Sequence, residues 1–300
     1  MSAYHVPVLL DESVSALDIK PDGVYVDATF GGGGHSREIL RRLGPEGRLL
    51  AFDQDEDALA NAPDDRRLTL VHANFRFVHN FVRYHGFDEV DGILADLGVS
   101  SHQFDTQERG FSFRFSAPLD MRMNRMAGRS AEEVVNSYSE EVLENIFRLY
   151  GEVDNSRKVA HLIAVARETA PIRTTDDLGR AIESVLPKFS EHKYLAKFYQ
   201  ALRIEVNGEM QSLEGFMKGA TRSLRSGGRF SVITYHSLED RIVKYWFKAG
   251  NVSGEAEHTL TGVVPSPFRT ISKKPVLPAE EEISSNTRAR SAKLRIAEKR

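Results

Sequence analysis

Over its first hundred positions the chain alternates between two hydrophobic patterns. Short apolar runs closed by glycine or acid occur at 24–30, 48–53, 68–73 and 92–97. Between them, at 36–43, 55–61 and 77–84, apolar residues recur at helical spacing, and an amphipathic stretch at 9–17 precedes the first run. Runs that stay apolar without alternating are strands buried on both faces, and strands that take turns with helices form a parallel sheet covered on both sides. The pattern therefore predicts an α/β fold of the doubly wound kind.

The rhythm breaks after position 100. Residues 100–129 are rich in Phe, Arg, Met and Gly without a clean period, and 131–202 carry helical spacing almost throughout, with Thr174 and Asp177 spaced as a capping box. Strand character returns at 229–234, behind a helix predicted over 209–224 and closed by Ser226-Gly227-Gly228, and 293–297 supplies a last strand. The simplest organisation is a nucleotide-binding domain assembled from 1–105 and 205–300, interrupted by an all-helical insertion at 106–204. Residues 252–285, with Pro265, Pro267, Pro275 and Pro278, read as a long loop or arm.

Composition narrows the chemistry. No run approaches the roughly 18 apolar residues of a membrane span, so neither a span nor a secretory signal is expected. The absence of cysteine removes disulfides, zinc–thiolate sites and iron–sulfur clusters, and agrees with a reducing cytoplasm. It also removes the covalent route to C5 methylation of a pyrimidine and the ligands of a zinc deaminase. With a net charge of −3, nucleic acid would have to be met by local basic surfaces. Two segments qualify: 109–129, with five arginines against Asp120, and 287–300, with six basic residues against Glu298. Either is equally a solvated face.

Phe30-Gly31-Gly32-Gly33-Gly34-His35-Ser36 follows the first strand and opens the first helix, where a nucleotide fold brings its backbone against a ligand. The run lacks the third glycine of a dinucleotide fingerprint, which favours a cofactor without pyrophosphate. Asp53 closes the second strand at the spacing from which an acid accepts both hydroxyls of a ribose, so the pair reads as adenosine recognition. Phe75 is placed either to pack on adenine or to fill the core. Asp96-Leu97-Gly98-Val99-Ser100-Ser101 ends the fourth strand; there Asp96 holds the amino-acid part of a cofactor, accepts from an amine, or caps a turn. Gln103, one short loop on, is a donor or acceptor. After the fifth strand comes Tyr235-His236-Ser237-Leu238-Glu239-Asp240. Ser237 and Asp240 have capping-box spacing, so the segment starts a helix, or else Tyr235 and His236 rim a substrate pocket and stack on a base. There is no Walker loop, no HExxH and no ligand cluster, so no metal is expected.

Taken in order, these segments resemble the bacterial MraW (RsmH) family, the 16S ribosomal RNA cytosine-N4 methyltransferases. The resemblance runs through His5-Val6-Pro7-Val8-Leu9-Leu10-Asp11-Glu12, residues 27–36 and 96–101, and Arg109-Gly110-Phe111-Ser112-Phe113. It continues through Pro118-Leu119-Asp120-Met121-Arg122-Met123, Leu202-Arg203-Ile204-Glu205-Val206-Asn207, residues 236–244 and residues 288–295, with Ala117 and Asn286-Thr287 as small departures. It implies a class I methyltransferase domain with S-adenosylmethionine on Gly33, Gly34, His35, Asp53, Phe75, Asp96 and Gln103. It also implies a substrate, the exocyclic amine of a decoding-centre cytidine (1402 in the usual numbering) of 16S rRNA in the small (30S) subunit. On that reading methyl transfer is direct and in line, with Asp96 as the N4 acceptor and Tyr235 and His236 beside it. RNA contacts are expected from Arg109, Arg114, Arg122, Arg288, Arg290 and Arg295, with Phe111, Phe113 and Phe115 for stacking. Two rivals stay open. A methyltransferase of small molecules or proteins leaves the basic segments unused, and a noncatalytic ribosome-assembly factor would bind the cofactor only structurally.

Overall fold

The computed structural model describes residues 7–259 and 262–300; His5 and Val6 of the opening motif lie outside the described residues. The chain divides into two compact units, one made of the residues up to Gly98 and from Met210 onward, the other of Val99–Glu209. The insertion begins at 99 rather than 106 and ends at 209 rather than 204. Its early start is local: Ser100 and Gln103 form a capping box that opens a helix.

Helices α1 (Leu10–Ser15), α2 (Gly34–Arg42), α3 (Glu56–Leu59) and α4 (Val78–Tyr84) precede the insertion. Within it lie α5 (Ser101–Asp105), α6 (Ala131–Ser137), α7 (Glu140–Gly151), α8 (Ser156–Thr169), α9 (Thr175–Ile182) and α10 (Glu191–Asn207). After it come α11 (Glu209–Ser223), α12 (Ser237–Ala249) and α13 (Glu280–Ser285). The strands are β1 (Val24–Asp27), β2 (Arg48–Asp53), β3 (Leu68–His72), β4 (Val90–Asp96), β5 (Leu224–Thr234), β6 (His258–Thr259), β7 (Gly262–Val263), β8 (Phe268–Thr270) and β9 (Lys293–Lys299). Among the described residues no helix is long and apolar enough to cross a membrane.

In the first unit, seven strands form one sheet in the order β3-β2-β1-β4-β5-β9-β8. The first five run parallel, and β9 pairs antiparallel with both β5 and β8. Register puts Val26 beside Leu50 and Ile93, and Tyr25 beside Leu49 and Gly92. Because side chains alternate across a strand, these sets face opposite ways. Val26, Leu50 and Ile93 pack with Val78 of α4, Phe216 and Met217 of α11 and Trp246 of α12; Tyr25, Leu49 and Leu94 pack with Val14 of α1 and Ile39 and Leu40 of α2. The sheet is covered on both sides, as its uniformly apolar strands require.

Two expectations fail locally. β5 starts at Leu224, directly behind α11, and the glycines read as a break lie inside it: the register to β4 jumps between Leu224 opposite Val90 and Arg229 opposite Gly92, with Gly227 at φ 77° in the bulge. The arm predicted at 252–285 contains the antiparallel pair β6 and β7, the edge strand β8 and α13. Phe268 is buried against Phe230 and Phe247, which draws that stretch onto the sheet.

The second unit is helical around Leu143, Phe147, Ile163, Phe198 and Leu202, with Phe147 stacked on Phe198 at 4.5 Å. The predicted box at Thr174 and Asp177 opens α9. Its loops are tied by buried polar groups. The Arg109 guanidinium donates to the carbonyls of Arg122 and Met123 (3.0 and 3.1 Å), and Asn207 bonds the backbone of Met123 and Met121 (2.8 and 2.9 Å).

Candidate active site

The strand order reverses direction between β1 and β4, and in open α/β sheets ligands bind outside the carboxyl ends of strands at such a point. Both strands end in an aspartate, Asp27 and Asp96, and β2 beside them ends in Asp53. The glycine bend follows β1. Gly31 and Gly33 adopt φ of 52° and 76°, a region costing a residue with a side chain about 1–2 kcal/mol. Gly34 is needed for another reason: a Cβ there would run into Pro7 Cγ. α2 therefore starts inside the glycine run, and no side chain caps its first turn from Gly33. Its amino end is left with backbone donors and the positive end of the helix dipole.

Asp27 is fully buried; it accepts from Ser36 Oγ (2.6 Å) and Thr29 N (3.1 Å). Burial pushes its carboxyl up to about 7, against those hydrogen bonds and with the help of Asp53's charge. Asp53 accepts from Gly31 N on Oδ2 (2.8 Å) and Asp55 N on Oδ1 (2.9 Å), and burial lifts it to about 6. A third backbone hydrogen bond comes from Gln54, and because a carboxylate has about four acceptor positions Asp53 keeps about one open. The Asp96 backbone N–H donates to Thr29 Oγ1, and Tyr235 OH donates to Asp96 Oδ1, both at 2.7 Å. Burial raises Asp96 to about 7, opposed by the Tyr235 bond and reinforced by Asp27 and Glu239. Its side chain keeps 23% exposure, so Asp96 is reachable where Asp27 is sealed.

His35 completes the group. Its Nε2 lies 3.2 Å from the Val8 carbonyl, which can only accept, so that nitrogen carries the hydrogen and Nδ1 is bare. Nδ1 stands 4.0 Å from Asp96 Oδ2. Burial lowers His35 to about 4, leaving it neutral at pH 7. The charges acting on these three aspartates are other carboxylates. Such a basin suits a ligand that is cationic at one end and carries hydroxyls at the other.

Gly33, Gly34, His35, Asp53, Asp96 and Tyr235 thus come together in the first unit. Phe75 opens a short turn after β3 and meets Phe216 edge-on at 5.1 Å, so it touches the core. The helix after β5 starts one residue earlier than its spacing suggested: His236 is the N-cap, with Nδ1 3.4 Å from Glu239 N, and the Glu239 carboxylate accepts from Tyr235 N at 2.8 Å. His236 thus caps this helix, and Asp240 is freed to pair with Arg295 (2.7 and 3.1 Å) and Lys293 (3.6 Å). Gln103 belongs to the second unit, where it is buried and its Oε1 accepts from Ser100 N at 3.0 Å.

Three of the six arginines expected on RNA are engaged internally. Arg109 is buried on carbonyls, Arg122 forms a two-bonded pair with Asp120 (both 2.9 Å), and Arg295 pairs with Asp240. Arg114, Arg288 and Arg290 are exposed. Phe111 is buried and Phe113 packs on Tyr199 at 5.4 Å, whereas Phe115 is half exposed. Sequence reasoning missed Asp27, Thr29 and Glu239 as parts of this site. Asp27 left one signal, an acid inside the apolar run 24–30.

Comparison with known proteins adds the lineage. A family model described as the MraW methylase family matches residues 2–300. The chain is 57% identical over 299 residues to a protein of Parabacteroides distasonis and 58% identical over 299 residues to one of Bacteroides fragilis, both named ribosomal RNA small subunit methyltransferase H. These alignments cover 99% and 100% of this chain and 98% of each relative. A solved rRNA methylase from Streptococcus thermophilus aligns at 12% identity and TM-score 0.42, covering 98% of both chains, too loose a likeness to add to the strand order above. With a match along nearly its whole length and relatives sharing more than half their residues, the chain belongs to the MraW methylase family.

Proposed function

We propose that this chain transfers a methyl group from S-adenosylmethionine to N4 of a decoding-centre cytidine, position 1402 in the usual numbering, of 16S rRNA in the small ribosomal subunit. The observation that carries the reading is the trio Asp27, Asp53 and Asp96 at the ends of β1, β2 and β4, lifted by burial and charged against one another. The relatives' names supply the RNA.

The residues fit the donor part by part. Asp53 accepts from the ribose diol at the position its three backbone donors leave open. The uncapped start of α2 at Gly33 and Gly34 takes the amino-acid carboxylate. Asp27 and Asp96 supply negative potential for the ammonium and sulfonium. When bound, the donor supplies an electrophilic methyl group, so alignment is the main requirement, worth about 7–11 kcal/mol when geometry is good.

The amine is the harder partner, because its lone pair is delocalised into the cytosine ring. Asp96 meets that difficulty: with Oδ1 engaged by Tyr235, Oδ2 accepts the N4 hydrogen as the lone pair localises. A carboxyl near 7 is well matched to that work at neutral pH, and such an acceptor contributes about 2–4 kcal/mol. Without cysteine, covalent addition to the ring is closed, which fits N4 rather than C5. Arg114, Arg288 and Arg290, being exposed, meet phosphate in this reading, with Phe115 to stack. The test is mass spectrometry of nucleosides from small subunits incubated with the protein and labelled donor. N4-methylcytidine is the expected product; label in protein alone, or in no nucleoside, overturns the reading.

A further inference from the structure

The glycine bend and His35 are held from outside by a segment that neither the donor nor the substrate explains. Pro7 fills the space a Cβ at Gly34 would take, and the Val8 carbonyl fixes the His35 tautomer. The next residue, Leu9, has φ 52° and ψ 39°, a left-handed conformation that side-chain-bearing residues avoid. Leu9 is completely buried with Val8 among Ile233, Ala289, Leu294 and Ile296, and its side chain gives no reason for that twist. Its N–H donates to Glu282 Oε1 at 2.8 Å, a bond that reaches from the start of α1 to α13. The Val8 carbonyl and the Leu9 N–H belong to one trans peptide plane and point opposite ways, so this single peptide unit is held by His35 on one side and by Glu282 of α13 on the other, and the left-handed turn at Leu9 carries the chain from it into α1.

We propose that Glu282 is a positioning residue for the methyl-donor site: by holding the bend at Leu9 it keeps Pro7 on Gly34 and Val8 on His35, and so sets the glycine bend and the bare nitrogen facing Asp96. The inference rests on the donor reading above. Glu282 touches neither donor nor substrate in this scheme; it acts through residues 7–9, and its charge, which also reaches Tyr235, is what the Glu282→Gln variant removes while keeping the acceptor. A charged acceptor suits the task, because hydrogen bonds to a carboxylate are shorter and stronger than neutral ones. It also explains why α13, in a stretch that reads as loop, is drawn to the start of the chain.

The test compares wild type with Glu282→Ala and Glu282→Gln by two measurements. Calorimetric titration with S-adenosylmethionine should show affinity weakened about tenfold in Glu282→Ala and recovered to within about twofold in Glu282→Gln, which keeps an acceptor for Leu9 N. Imidazole nitrogen NMR of the unliganded proteins should find His35 as the Nε2–H tautomer in wild type and Glu282→Gln, and as a mixture in Glu282→Ala. Thermal unfolding confirms that both variants are folded. Wild-type affinity together with an unchanged His35 spectrum in Glu282→Ala overturns the role of Glu282 and leaves the donor site standing. A wild type that binds no donor overturns the site reading itself, and this inference with it.

Discussion

Two regions of the first unit use buried carboxylates in opposite ways. Asp240, on α12, is also taken from water, which pushes its pKa up, yet the Arg295 hydrogen bonds and the charges of Arg295 and Lys293 bring it below the usual value. Asp96, at the end of β4, has a neutral phenol as its hydrogen-bonding partner and other acids as its charged neighbours, and it rises to about 7. A carboxylate paired with a cation inside the protein is finished, and its charge serves the fold. One buried beside other acids is raised instead, and under the proposed function the cationic end of the donor is what answers it.

The sharpest way to break this contrast is to remove Asp96. Asp96→Ala should lower methyl transfer at saturating donor by about 100-fold or more; unchanged turnover in a single-turnover assay moves the N4 acceptor elsewhere. Asp53→Ala should instead weaken donor affinity by about 10- to 100-fold while leaving most of the turnover at saturation. Calorimetry separates the two, and equal loss of both parameters in both variants would merge them into one role.

Acidity offers a third handle. A cation binds best when the acids are ionised, so donor affinity should rise about tenfold between about pH 5 and about pH 8, with release of protons that shows as a dependence on buffer ionisation heat. A flat profile contradicts the raised values of Asp53 and Asp96.

On the paired side, Arg295→Ala takes both guanidinium hydrogen bonds from Asp240, leaves it Lys293 alone, and should cost about 2–3 kcal/mol in denaturant unfolding. It should leave the salt dependence of RNA binding as it was, whereas replacing exposed Arg288 and Arg290 together should reduce that slope by about 1–2 without loss of stability. The reverse outcome would return Arg295 to the RNA surface that its sequence context suggested.

The smallest effect concerns stability against pH. Folded Asp96 keeps its proton to about 7, while the unfolded chain releases it near the ordinary 3.8, so the folded state binds more protons between those values. Stability from this group therefore declines as pH rises through that window, and Asp96→Asn should gain on wild type by about 1 kcal/mol or more across it. Asp240 has the opposite sign: its contribution is complete above 3.8 and is lost as pH falls below that value. Asp240→Asn should therefore lose on wild type at neutral pH and converge with it in acid.

Much of this site was legible in the order of residues. Four glycines between an apolar run and a helical pattern, followed by an acid at the end of the next strand, mark the bend and the carboxylate that the proposed donor would meet, because local conformation and strand period are written in neighbouring positions. Asp53, Asp96 and the bend were found that way, and so was Thr174 with Asp177. Arg109, Arg122 and Arg295 were misread because charge in a sequence says nothing about burial; only folding puts the carbonyls of Arg122 and Met123, or the carboxylate of Asp240, within reach of a guanidinium.

The sequence by itself determined the alternating strands and helices, the helical interruption and the position of the glycine bend, since each follows from a short-range period or a backbone constraint. Tertiary structure alone decided which acids lack a cation, which arginines reach solvent, and that Leu9 near the start of the chain leans on Glu282 near its end. Those are properties of distances between residues far apart in the chain, and electrostatic energy depends on distance and burial rather than on order.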